Sequence, residues 1–296
     1  MNKVDEGVPA DATPTSQGRL PDFFIAGHAK SGTTALYEML RRHPQIYMPD
    51  GKEPWFFASD MRPRFRPARV GALPESLADY LSLFAAARPD QRIGEASSSY
   101  LWSRNAASAI AEVQPAARII AILREPASFL RSLHLQLLQY ADHVRYTEQL
   151  RRYHAMFARE QVLVLIYEDF RANNEATVRE VLRFLEVDDT REIDVLDANP
   201  TIRMRSQQLD DMVHAVSVGR GPLSRAVKAS IKAFTPRTLR RDALAVAQRH
   251  VVHGAPQPPD EEFMVELRRR FKGEVEALSD YLDRDLVTLW GYDSIG

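Results

Sequence analysis

At 296 residues the chain has room for one large α/β domain or two ordinary ones, and 45% hydrophobic with 27% charged residues is a globular composition. A net charge of −1 and a pI of about 6.7 give no overall basic field of the kind that holds nucleic acid. With no cysteine, disulfides, thiolate–metal sites, iron–sulfur clusters and cysteine nucleophiles are excluded.

The first residues, with acids, prolines and small polar side chains but no apolar stretch, are expected to form a disordered tail over 1–19 rather than a signal peptide. No apolar run reaches the roughly 18–20 residues needed to span a bilayer, so the expected location is the cytoplasm. Asp22 to Ala26 is an apolar run ending at Gly27, which predicts a buried parallel strand. A helix bearing Leu36, Met39 and Leu40 should follow and stop at His43-Pro44. Residues 49–75, rich in proline, glycine and charge, predict a long irregular excursion of the kind that carries function.

A short helix over about 75–87 should lead to a strand near Arg92–Glu95, and Ala117–Leu123 is the clearest strand of all. Helices are predicted after Pro126 and around Tyr146–Phe157, then a buried strand over Gln161–Ile166. Asn174 is expected to cap a helix bearing Val178, Val181 and Leu182, and a last helix should start after Pro258-Pro259-Asp260. Strands alternating with helices predict an α/β fold: a P-loop-like central parallel sheet flanked by helices, with an irregular C-terminal half. Residues 20–296 read as one domain, of which 200–255 is the least patterned part.

The turn after the first strand is Gly27-His28-Ala29-Lys30-Ser31-Gly32-Thr33-Thr34. Strand, glycine-rich turn and helix together present backbone N–H groups and a positive helix end to an anion. The glycines have the Walker A spacing, but Thr33 stands where that motif has lysine, and the lysine sits three positions earlier at Lys30. The strand over 117–123 ends in Arg124, where a nucleotide–magnesium site would want an acid. A metal-free anion site fits this pattern, and no metal ligands are expected among the eight histidines, which show no metal spacing.

This loop resembles the 5′-phosphosulfate loop of sulfotransferases that use 3′-phosphoadenylyl sulfate (PAPS). Arg124-Glu125-Pro126, with Ser132 eight residues after the arginine, is similar to the family's 3′-phosphate motif. Lys52-Glu53-Pro54-Trp55-Phe56-Phe57 resembles the Lys-Glu-x-x-Phe-Phe stretch of the carbohydrate (heparan-type) branch, in which the glutamate is the catalytic base. Gly94 to Tyr100 matches a further family segment near the acceptor, with Ala96 where relatives often have lysine, and leaves Glu95 as a rival base. Gly219-Arg220-Gly221-Pro222 is similar to the late loop that closes over the 3′-phosphate in relatives, although a plain turn is an equal reading. Between Leu138 and Arg145 the connection is shorter than in most relatives.

The resemblance implies a sulfotransferase that moves the sulfuryl group of PAPS to a hydroxyl or amine and releases PAP. Lys30 and Glu53 would be catalytic, and Lys30, Ser31, Gly32, Thr33, Thr34, Arg124, Ser132 and Arg220 would hold the nucleotide. The acceptor would be a small molecule, glycan or glycolipid, with the aromatics Trp55 and Trp102 available to pack against it; a homo-oligomer is left open. The competing readings are a P-loop small-molecule kinase and a nucleotide-binding protein without activity.

Overall fold

The computed structural model describes residues 18–61, 73–132, 137–195, 203–204, 253–254 and 261–295. The expected tail up to residue 17, Arg220 and most of 200–255 lie outside these. A five-stranded parallel sheet has the order β2-β3-β1-β4-β5, with β1 Phe23–Gly27, β2 Ile46–Tyr47, β3 Arg92–Ala96, β4 Arg118–Leu123 and β5 Val162–Ile166. Helices flank it as expected. A two-residue pair, β6 Arg203–Met204 and β7 His253–Gly254, is antiparallel.

The apolar runs of the central strands are buried on both faces, as a covered parallel sheet requires. Phe24, Ala26, Ile119, Ala121 and Leu123 point to one side, where they meet residues of α3 Ala106–Val113, α5 Tyr146–His154 and the long α8 Glu261–Leu282. Phe23, Ile25, Ile120 and Ile122 point to the other, against α1 Thr33–Leu40, α6 Tyr167–Ala172 and α7 Asn174–Phe184. The period-two alternation of each strand therefore divides the core into two clusters.

Two sequence expectations need correction. The helix expected over 75–87 is α2 Leu77–Ser82, fixed by a capping box in which Ser76 and Asp79 satisfy each other's backbone N–H. Asn173, not Asn174, caps α7 by accepting from the Ala176 N–H. The stretch before Arg145 holds α4 Pro126–Ser132 and a 3₁₀ segment, Leu137–Val144.

The strand order decides where a ligand can sit. From β1 the chain moves to β2 and β3 on one side, and from β4 it moves to β5 on the other. The carboxyl ends of β1 and β4 are thus a topological switch point, where connections diverge and leave a crevice. The loop after β1 and Arg124 after β4 both open onto it.

Close packing of the sheet at β1 relies on Gly94, since a Cβ there would lie 2.1 Å from the Phe23 ring. Gly94→Ala is expected to destabilise the fold by about 1–3 kcal/mol through overpacking. Urea denaturation should show a lower midpoint with an unchanged slope.

Candidate active site

The loop between β1 and α1 depends on left-handed backbone at two positions. Gly32 has φ 86°, and a Cβ there would sit 2.9 Å from the Phe170 ring, so both conformation and space demand glycine. Lys30 has φ 60°, a conformation that costs a non-glycine residue about 1 kcal/mol. No side chain caps α1 and no acid lies in its first turn. Its leading N–H groups and the positive end of its dipole are left for an anion.

Arg124 holds this loop from β4. Its Nη1 donates to the Lys30 carbonyl at 2.9 Å, and its Nε and Nη2 donate to Ser128 Oγ at 3.1 and 2.8 Å. The guanidinium lies over the Tyr167 ring, and Tyr146 donates its hydroxyl to the Arg124 carbonyl. Ser128, one turn along α4, meets the guanidinium; Ser132 turns its hydroxyl back onto the Phe129 carbonyl at 2.6 Å. The i, i+4 spacing of Arg124 and Ser128 was the sequence signal for this pair.

Glu125 caps α4 through the N–H groups of Ala127 and Ser128 and accepts from Tyr292 Oη at 2.6 Å. Beside it lies a cavity of about 390 Å³ lined by Ser128, Arg131, Met264 and Arg268 among others. Lys30 and Thr34 are exposed at the loop, whereas Ser31 and Thr33 are buried.

Across the crevice, the segment from Lys52 to Phe57 lies against β3 and the turn after it. Glu53 and Trp55 flank Pro54 with φ 64° and 49°, two strained positions in three residues. The strain is held by hydrogen bonds. Glu53 N–H donates to the Ala96 carbonyl, Trp55 N–H to Ser97 Oγ and Phe57 N–H to Tyr100 Oη. The Glu53 carboxylate accepts from Ser98 N–H at 3.0 Å, Ser98 Oγ at 2.8 Å and Trp55 Nε1 at 2.7 Å. Lys52, which sequence reasoning put in the site region without a role, sends Nζ to Thr34 Oγ1 at 3.1 Å and Thr33 Oγ1 at 3.4 Å.

Glu95 is elsewhere. Its side chain is sealed in the core, and Oε2 accepts from Tyr80 Oη at 3.0 Å and Tyr100 Oη at 2.8 Å. Burial raises its pKa to about 7, against the pull of the Ser97, Tyr100 and Tyr80 hydroxyls. Of the two glutamates, Glu53 has a partly exposed side chain and Glu95 has none.

His28 is fully buried too, edge-on to Phe129 with ring centroids 4.3 Å apart. Burial lowers its pKa to about 4, so it packs as a neutral ring beneath the loop. Trp102 is half-buried and lies on His143 with centroids 3.6 Å apart.

Glu95 and His28 make opposing contributions to stability. A carboxyl whose folded pKa is raised from 4.5 to about 7 supports folding fully below pH 4.5 and loses that support as pH rises to 7. His28, lowered from 6.5 to about 4, supports folding above 6.5 and loses that support as pH falls to 4. The two trends cancel in part between them, so the difference between variants is the informative quantity. The Tm of Glu95→Gln minus that of wild type is expected to grow as pH is raised from about 5 to 8; a flat difference would rule out a perturbed carboxyl.

A family model described as the sulfotransferase family matches residues 21–191, a span that takes in the donor loop, the Glu53 segment and Arg124. Mouse carbohydrate sulfotransferase 15 is 28% identical, with 56% of this chain and 44% of that protein in the match. Human heparan sulfate glucosamine 3-O-sulfotransferase 6 is 31% identical over 45% of this chain and 34% of its own length. The chain spans less than half the length of these curated relatives. A crystallised sulfotransferase from Alicyclobacillus acidocaldarius shares the fold with a TM-score of 0.62, covering 92% of this chain and 99% of that one at 23% identity. With more than half of its residues inside the family model, the chain belongs to the sulfotransferase family.

Proposed function

We propose that the chain transfers a sulfuryl group from PAPS to a hydroxyl or amine of a carbohydrate-containing small molecule, glycan or glycolipid, within one domain spanning 20–296. The observation that carries this reading is the uncapped, acid-free N-terminus of α1, whose Thr33 and Thr34 meet Lys52 from the segment that carries Glu53. PAPS supplies the activated sulfuryl group and leaves as PAP. Lys30, Ser31, Gly32, Thr33, Thr34 and the loop amides hold the 5′-phosphosulfate and offset the charge that grows on the leaving phosphate. Arg124 serves the 3′-phosphate end, with the Ser128 hydroxyl beside it. Ser132 and Arg220 are the further candidates there. Glu53 takes the acceptor proton as the new oxygen–sulfur bond forms and the sulfur–phosphate oxygen bond breaks.

A carbohydrate acceptor is supported by the two sugar-modifying relatives and by the aromatic side of the Glu53 segment. Among the described residues no helix is long and apolar enough to cross a membrane; the same reading puts the protein in the cytoplasm. The kinase reading is disfavoured because the strand-end position that would carry a magnesium-holding acid is Arg124, while Glu125 is committed to the α4 N-terminus and Tyr292.

PAP without magnesium is expected to raise the melting temperature by about 5 °C at a concentration near 100 times its Kd, while ATP with magnesium leaves it unchanged. The reverse pattern would sink the proposal in favour of the kinase. Lys30→Ala should lower kcat by about 10²–10³ with labelled PAPS and an active acceptor, and Glu53→Gln by about 10²–10⁴. Arg124→Ala should weaken PAP binding and also lower stability, because the same guanidinium holds the Lys30 carbonyl. A fully active Glu53→Gln variant would move the base elsewhere.

A further inference from the structure

The chain has only six lysines, and Lys52 is placed unlike the others in the described part of the fold. It comes from the acceptor-side segment yet ends on the donor-side helix, with its side chain only 15% exposed. Its hydrogen-bond partners are two neutral hydroxyls, Thr34 Oγ1 at 3.1 Å and Thr33 Oγ1 at 3.4 Å. The nearest carboxylate oxygen, Glu53 Oε1, is 4.0 Å away and already engaged by Ser98. The Tyr37 ring is 5.7 Å from the ammonium, and Glu38 acts on it only through space. Burial lowers the Lys52 pKa, with Glu53 and Glu38 pulling the other way. A half-buried cation resting on hydroxyls is electrostatically incomplete until an anion joins it.

The donor count gives the arrangement a direction. An ammonium has three N–H donors and no acceptor. Each threonine oxygen that receives a Lys52 N–H must therefore aim its own hydroxyl proton elsewhere. Thr33 and Thr34 become oriented donors at the mouth of the α1 N-terminus.

We infer that Lys52 is a second cation of the transfer site, which turns the Thr33 and Thr34 hydroxyls towards the donor's anionic group and links that cradle to the Glu53 carboxylate. This rests on the sulfuryl-transfer reading and deepens it. Lys52 acts on the donor through the threonines and on the base through space, so one side chain couples the two halves of the reaction.

The test combines PAP binding by calorimetry with the pH dependence of kcat, for wild type, Lys52→Met, Lys52→Arg, Thr34→Val and the Lys52→Met/Thr34→Val pair. Lys52→Met should weaken PAP binding about tenfold, lower kcat about 10²-fold and move the acid limb of the kcat profile to higher pH. Lys52→Arg should recover part of the acid-limb position, because the positive charge beside Glu53 is restored. The double variant should lose less PAP affinity than the two single losses together, since the Thr34 hydroxyl is common to both. Additive losses, or a Lys52→Met enzyme with wild-type PAP affinity and an unmoved pH profile, would overturn the inference. If Lys52→Met does not fold, Lys52→Arg and Thr34→Val carry the decision: wild-type PAP affinity in Thr34→Val overturns it. Wild-type protein that fails to bind PAP at all would overturn the transferase reading itself, a separate outcome.

Discussion

The hydrogen bond from Arg124 to the Lys30 carbonyl holds the site together. Without it, a left-handed lysine in a five-residue turn would have little to keep it in that conformation. With it, the end of β4 dictates the shape of the loop after β1, and the ends of two strands adjacent in the sheet are tied together. Ser128 and the Tyr167 ring fix the guanidinium from two further sides, so its position is over-determined. That is the condition under which backbone strain persists in a folded protein.

The segment from Lys52 to Phe57 is built on the same principle with different parts. Glu53 and Trp55 sit in strained conformations; the end of β3 and the turn after it satisfy their backbone N–H groups and the Glu53 carboxylate, which in turn accepts from the Trp55 indole. Behind that turn, Glu95 joins Tyr80 and Tyr100, while Tyr80 stacks on Phe56 with centroids 4.5 Å apart and Tyr100 accepts the Phe57 N–H. Two glutamates of one small region thus have opposite surroundings. One stands at the crevice on polar donors; the other is an interior acid that anchors the aromatic floor.

Much of this was legible in the sequence where the physical signal is local. The β1, β4 and β5 runs announce buried parallel strands, and the glycine spacing announces the tight turn between β1 and α1. Helix α3 was not anticipated, because Ala106–Val113 is alanine-rich and buries only Ala106, Ala107 and Ile110. The two-residue β2 is too short to leave a pattern. The contact of Ser128 with Arg124 depends on the reach of a guanidinium along a helix, which the spacing of Arg124 and Ser132 does not display. Glu95 could not be told from Glu53 by pattern alone. A strand buried on both faces gives no sign of which side chains face a crevice. Lys52 meets Thr34 only through tertiary folding, across 18 residues of chain.

The bond between Tyr292 and Glu125 spans 167 positions of sequence, and Trp290 adds another from its indole N–H to Glu168. Contacts of such separation close a long loop, and its entropy must be offset by the packing around them. A change at Tyr292 would therefore be felt at the start of α4, beside Arg124 and Ser128, although the two lie far apart in sequence.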